Sequence, residues 1–324
     1  MEVSIARGGG RLALAPVPQA IVDRLSASVG GWSETIGPYR VKIALINNLA
    51  MGSAAHFSHD GESVTISLDW AQIERLPMVM REFQAHLPWL DQKDAFLRGA
   101  SRELRLYWER RNMAGGTAPI TDEDRLFDGR HEDDAEALAP LDDDQIEAAI
   151  RFAHFLLGHE LAHLAARWSP EAVDDALYRF EEHYLRLIRP SPTLAEELFC
   201  DQQALMILLD NDVYGSAMRL NDEFSLAMAV ERLQHEVRVA APRVSALLTG
   251  RLAPERAPSF NPNRERQVLA DWEYRTFQVN ILLEELLERA GLDEEQRDKA
   301  RTVREALYRW TSEQIREDIA GVLN

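Results

Sequence analysis

Val64, Ile66 and Leu68 alternate with Thr65, Ser67 and Asp69. A period of two is that of a half-buried strand. The stretch before it, "YRVKIALINNLAMGSAAHF" from Tyr39 to Phe57, has the same strand-like character, and His59-Asp60-Gly61 supplies a turn between the two segments. From 70 to 110 the spacing lengthens. Trp70, Ile73 and Leu76, then Leu97, Leu104 and Trp108, recur at helix-like intervals. Further on, Ile146, Ile150, Ala153 and Leu157 mark one face of a long helix. Asp142, Asp143 or Asp144 can cap it, and it should stop near Trp168-Ser169-Pro170, because a proline restricts the residue before it. Glu171 to about Arg189 forms a second amphipathic pattern, ended by "RPSP". A third helix is expected to start at Thr193, where Thr193-Leu194-Ala195-Glu196 spells a capping box, and to run to Leu209. Beyond 213 the pattern is helical to the end, interrupted by a turn region at 249–263. Residues 1–40 are mixed, with turn signals at Gly8-Gly9-Gly10, Gly30-Gly31 and Gly37-Pro38.

These elements predict a predominantly helical α+β fold, with a small sheet packed on the long helix and a helical C-terminal region. Four regions follow: 1–111 with the sheet and its helices, 112–143, 144–212 with the two central helices, and 213–324. The second region is rich in Gly, Pro, Asp and Glu. Such a segment buries little apolar surface and reads as an acidic insert, either a linker or a flap beside the long helix.

Composition narrows the functional classes. The chain has 324 residues and a net charge of −18, which disfavours nucleic acid and anionic lipid as partners. Its lysines are Lys42, Lys93 and Lys299, so nearly all the positive charge is arginine. Cys200 is the single cysteine and cannot form an internal disulfide, which fits a reducing, cytoplasmic setting. The apolar run at the N-terminus is broken by Pro16, Pro18 and Asp23 and makes a poor signal peptide. No stretch reaches the ~18 uncharged apolar residues of a membrane span. Oligomeric state is not legible.

The chemistry is concentrated in "GHELAHL", residues 158–164. His159-Glu160-Leu161-Ala162-His163 is H-E-x-x-H. Residues four apart share a helix face, so His159 and His163 can hold one Zn²⁺ from a single rigid element. Glu160, one step round, can take a proton from an activated water without ligating the metal. A catalytic zinc needs a third protein ligand. A third histidine six residues after the second is excluded, because that position is Ser169. The better source is "TLAEELFCDQQA", residues 193–204. Glu197 and Asp201 are four apart on one face, so Glu197 can ligate, and Asp201 can accept a hydrogen bond from the far nitrogen of a ligand histidine. Glu196 competes as the ligand, but it stands at the third position of the capping box and is followed one turn later by Cys200, not a carboxylate. Cys200 reads as a packing residue.

H-E-x-x-H followed by E-x-x-x-D on a later helix resembles the gluzincin metallopeptidases, most closely the branch with the M48-like and Lit-like (U49-type) peptidases. The resemblance covers roughly residues 40–70, 144–211 and part of 258–270. It implies a zinc metalloendopeptidase acting on a protein or peptide, with one zinc per chain. His159, His163 and Glu197 would be the ligands, Glu160 the general base and Asp201 their support. It also implies a strand before the zinc helix whose edge receives extended substrate. M48-like enzymes carry a downstream His-Pro followed by Arg; this chain has Asn261-Pro262 and then Arg264 and Arg266. Asn261 stands where the histidine would be, so the donor to the transition state is open among Asn261, Arg264, Arg266 and Tyr214. The alternative function is a zinc-binding recognition module, regulatory or defensive, that keeps the fold without proteolysis. The sequence names neither substrate nor pathway.

Overall fold

The computed structural model describes residues 3–6, 19–46, 54–57, 61–69, 73, 142–173, 192–209, 217–229 and 262–323. The fold is α+β and predominantly helical, with one small sheet. The chain divides into two compact units, one of residues 1–170 with 206–208, the other of residues 171–205 with 209–324. The expected insert at 112–143, nearly all of the helical pattern at 70–110, and most of the pattern at 171–189 lie outside the described residues.

In the first unit, five strands make a mixed sheet. They are β1 (Val3–Ala6), β2 (Thr35–Ile36), β3 (Tyr39–Ile46), β4 (Ala54–Phe57) and β5 (Ser63–Asp69). The strand order is β1-β3-β5-β4, with β2 also paired to β3. Thus the segment expected as one strand over 39–57 contributes two. Asn47-Asn48 and Gly52-Ser53, weak strand formers, stand between them in the sequence. β5 inserts between the two strands, parallel to β3 and antiparallel to β4. Val41, Ile43 and Leu45 lie opposite Val64, Ile66 and Leu68 in register, and all six are buried. The alternation seen in β5 holds at Thr65 but fails at Ser67, which is buried too.

Two elements of this unit carried sequence signals that the mixed composition of residues 1–40 obscured. β1 is only four residues and pairs in parallel with the second half of β3. Helix α1 (Gln19–Val29) buries Ile21, Val22, Leu25 and Val29, spaced one, four and eight residues from the first. It packs against β1 and against helix α2 (Asp143–Trp168). α2 in turn lies on β5, β4 and β2, so the sheet does pack on the helix that carries H-E-x-x-H.

α2 begins with a full capping box. The Asp142 carboxylate accepts from the Gln145 backbone N–H at 2.8 Å, and the Gln145 side chain accepts from the Asp142 N–H at 3.1 Å. It ends where Ser169 donates to the Ala165 carbonyl at 2.8 Å, at the expected boundary before Pro170. At that end the Trp168 indole covers the β2–β3 turn. Gly37 has φ of +54° there, and a Cβ on it would meet the indole at 3.1 Å. Two constraints, backbone and space, therefore both demand glycine.

His154 joins α1 to α2. Its Nε2 lies 2.6 Å from Ser28 Oγ, and its ring sits 6.0 Å from that of Trp32. Burial pulls its pKa from 6.5 down to about 4. The imidazole therefore stays neutral in the folded protein under conditions that protonate it in the unfolded chain.

The second unit holds helix α3 (Pro192–Leu209), a helical stretch at 217–229, and helices α4 (Pro262–Arg289) and α5 (Glu294–Leu323). α3 opens at Pro192, one residue before the expected start. Proline suits the first helical position, where its missing N–H costs nothing. Thr193 consequently falls inside the first turn and Glu196 is no longer the third helical residue, so the Thr193–Glu196 capping box is not the one that starts this helix. α4 likewise begins inside the expected turn region, at Pro262. It ends at Gly291, with φ of +72°, whose N–H donates to the Glu288 carbonyl at 3.0 Å while Leu292 donates to Leu287 at 3.2 Å. Asp293 and Gln296 then form a second reciprocal box, at 2.9 and 3.1 Å, that starts α5. Inside the unit, buried Arg304 donates to Asn221 Oδ1 at 2.6 Å and pairs with Glu284, tying α5 to α4 and to 217–229. Burial pushes the neighbouring Asp222 carboxyl up to about 6.

Two outcomes follow from the first unit. Gly37→Ala should lower stability by about 1–2 kcal/mol, the cost of a left-handed residue with a side chain, plus whatever displacing Trp168 adds; urea unfolding measures it. The second outcome concerns pH. Because the unfolded chain binds a proton at His154 that the folded chain refuses, stability is full above pH 6.5 and falls as pH drops towards 4. His154→Asn, which cannot titrate, should lose less stability than the wild type between pH 6.5 and 4.5.

Candidate functional site

α2 is expected from its sequence to bury one face. It buries most of its circumference. Ala148, Ala149, Ile150, Phe152, Ala153, Phe155, Leu156, Leu157, Leu161, Ala162, Leu164 and Ala166 are all buried, and the remaining side, with Glu147, Arg151, His154 and Ala165, is half-buried. Small alanines let neighbouring elements approach closely, and good helix formers dominate the run. Within this apolar rod stand His159 and Glu160, each 8% exposed, with the half-buried His163 one turn beyond.

The two imidazoles share a face. Their ring centroids are 4.9 Å apart and the rings meet edge to face, with Phe155 one turn earlier at 6.4 Å from His159. At that separation one nitrogen of each ring can approach a common ion at the ~2.0–2.1 Å that zinc requires. The donor chemistry fits as well, since neutral imidazole is a preferred zinc ligand. Glu160 occupies the position next to His159 in the same helix.

The carboxylate pair Glu197 and Asp201 also sits together. Glu197 and Asp201 are one turn apart on α3, in the second unit. Asp201 is completely buried, and Cys200 beside it is buried as well. The partner of the two carboxylates is one that sequence reasoning missed. Arg275 of α4 donates from Nε to Asp201 Oδ2 at 2.7 Å and from Nη2 to Oδ1 at 2.9 Å. Its Nη1 lies 3.1 Å from Glu197 Oε2. One guanidinium therefore spans both acids, in the bidentate geometry that suits arginine and carboxylate. The only signal available was an arginine at a helical position some seventy residues away, which no local pattern connects to Glu197. Asp201 was expected to accept from a histidine; both of its oxygens accept from Arg275.

Of the candidate donors to the transition state, Asn261 and Tyr214 lie outside the described residues. Arg264 and Arg266 are in the first turns of α4, where the backbone is described and their side chains are not. Among the described residues no helix is long and apolar enough to cross a membrane. Comparison with models of known families, with curated proteins and with solved structures finds no match for this chain.

The Arg275–Asp201 pair has a direct energetic consequence. Arg275→Ala leaves a fully buried carboxylate without its guanidinium, and should cost about 3–5 kcal/mol in chemical denaturation. Asp201→Asn/Arg275→Met removes both charges together and should recover most of that loss.

Proposed function

We propose that this chain is a zinc-dependent metalloendopeptidase of gluzincin type, with His159, His163 and Glu197 as ligands and Glu160 as general base. The observation that carries the reading is the H-E-x-x-H set: two imidazoles on one face with centroids 4.9 Å apart, and a carboxylate as buried as His159 beside it. Two imidazoles four residues apart, with an acid next to the first, are the donors and the base that a catalytic zinc uses.

When bound, zinc would polarise the scissile carbonyl and make a neutral water acidic. The protein's own groups would supply the rest. Glu160 takes the proton of the attacking water as its oxygen bonds to the carbonyl carbon. The C–N bond then breaks, and Glu160 returns the proton to the departing nitrogen. The substrate would bind extended. Among the described residues β4 is the last strand on the β5 side of the sheet, and it packs on α2. An added peptide strand gains main-chain hydrogen bonds at such an edge. A zinc-binding recognition module is the second reading, and the cost of keeping Glu160 buried disfavours it.

Purified protein without a histidine tag should carry about one zinc per chain by elemental analysis. Metal-free protein from zinc-replete medium overturns the reading. Glu160→Gln should keep zinc and fold yet lose at least ~100-fold in turnover, with new N-termini in a cell lysate seen for wild type only. Glu197→Ala should lose most of the zinc and Glu196→Ala should keep it.

A further inference from the structure

Trp168, Met206, Phe277 and Tyr308 are the large apolar side chains exposed among the described residues. Two of them, Phe277 and Tyr308, line one cavity of the second unit, about 600 Å³ in volume, between α4 and α5. That volume is in the range of small-ligand sites. The wall follows helical spacing. Tyr274 and Phe277 are three residues apart on α4, and Arg301, Arg304, Glu305 and Tyr308 share one face of α5. Half-buried Tyr274 packs on Leu194 and Leu198 of α3, so rings stand on both helices and one of them is braced. The charge of the wall runs against that of the chain. In a protein of net charge −18, the cavity is lined by the guanidinia of Arg301, Arg304 and Arg309 and by one carboxylate, that of Glu305. The acids that hold Arg301 and Arg304, namely Glu284, Glu294 and Asp298, are not in the wall. Beside the cavity is a recess of about 10 Å³ that shares Asn280, Arg304 and Tyr308 with it. Ser225 Oγ lines the recess, buried and with no hydrogen-bond partner among the described residues. A space of that size admits one water-sized polar atom, and a buried hydroxyl calls for one.

We propose that this cavity binds a small organic oxyanion carried on a planar ring, with the ring among Tyr274, Phe277 and Tyr308 and the charged group, a carboxylate or a phosphate, on Arg309. The binding is independent of zinc at the H-E-x-x-H helix. A neutral apolar ligand would strip water from three guanidinia and give them nothing in return. A cation would be repelled by them, and a bare inorganic anion would leave the rings in water. Only a ligand with both features uses both halves of the wall. The three arginines contribute differently. Arg304 is buried and fixed by Asn221 and Glu284, and Arg301 is held by Glu284, Glu294 and Asp298, so both supply standing positive charge. Arg309 pairs with Glu305, one turn back on α5, at 3.0 Å, and the two side chains are 62% and 66% exposed. Such an exposed pair contributes little. An incoming oxyanion can therefore take the guanidinium from Glu305 almost without loss, and arginine's planar fork matches either oxyanion.

The test is isothermal titration calorimetry on the full chain at low salt, where screening is weak. The probes are indoleacetate, a ring with a carboxylate, and adenosine monophosphate, a ring with a phosphate. Tryptophol and adenosine are their uncharged counterparts, and acetate and inorganic phosphate are the anions without rings. At least one ring-bearing anion should bind with a Kd below about 1 mM, and which one binds identifies the oxyanion. Its uncharged and ringless counterparts should bind at least about 10-fold more weakly. Arg309→Gln should weaken binding about 10-fold or more, and Tyr308→Leu about 3–10-fold. Both side chains are exposed, so both variants should keep the wild-type circular dichroism. Glu305→Gln removes the competing carboxylate and should tighten binding, which a merely structural Glu305–Arg309 pair would not do. Arg289→Gln breaks an equally exposed pair, with Glu285, outside the cavity, and should leave the affinity unchanged. The proposal is overturned if neither ring-bearing anion binds below about 1 mM, if an uncharged counterpart binds as tightly, or if Arg309→Gln retains wild-type affinity.

Discussion

A carboxylate with no access to water sets the geometry of the second unit. Asp201 can stay charged only if something replaces its hydration, and Arg275 does so at both oxygens. That bond is directional. It fixes which turn of α4 faces which turn of α3, more tightly than the packing of Tyr274 on Leu194 and Leu198 can alone. The same rule operates deeper in the unit, where Arg304 is buried against Asn221 and Glu284 and draws three helical segments together. In each case an arginine is the hub, because its fork satisfies several acceptors with one desolvated charge. A chain with three lysines and many arginines has the side chain for this task in abundance.

The first unit handles buried polar groups in another way. His154 is kept neutral: burial lowers its pKa to about 4 and a serine meets its ring nitrogen. It works as a packing residue with one hydrogen bond, a joint between α1 and α2. His159, one turn and a half further on, shares its face with a second imidazole and its neighbourhood with a carboxylate. The two histidines lie in one helix of one composition. What separates them is company: a lone histidine is satisfied by a hydroxyl, whereas a pair with an acid beside it is a donor set.

Local signals in the sequence were read well wherever the physics is local. The cap at Asp142, the stop before Pro170, the alternation in β5 and the spacing of H-E-x-x-H all depend on residues within one or two turns. The reciprocal box at Asp293 and Gln296 and the glycine at 291 are equally local, and "GLDEEQ" spells them out; a continuous helical pattern on either side hid the break. Features that depend on distant partners were not legible. Nothing near 39–57 says that β5 will insert between its two halves, since a parallel pairing is fixed by the sheet as a whole. The breadth of the buried surface of α2 reflects what surrounds it, and the single face expected of it was too narrow. Arg275 is the clearest case, because a salt bridge across 74 residues leaves no periodic trace.

The choice between an enzyme and a module that merely holds zinc turns on Glu160. Zinc binding asks for the two histidines and a third ligand; it has no use for an acid at the position between them. A surface glutamate there would be uninformative, since helix exteriors are full of them. This one is as buried as the ligand candidate beside it, so it bears a desolvation cost that a surface residue escapes. A buried acid beside two imidazoles on one helix is the pattern of a group held for its proton chemistry. The same reasoning does not extend to Asp201, whose burial is already compensated by Arg275.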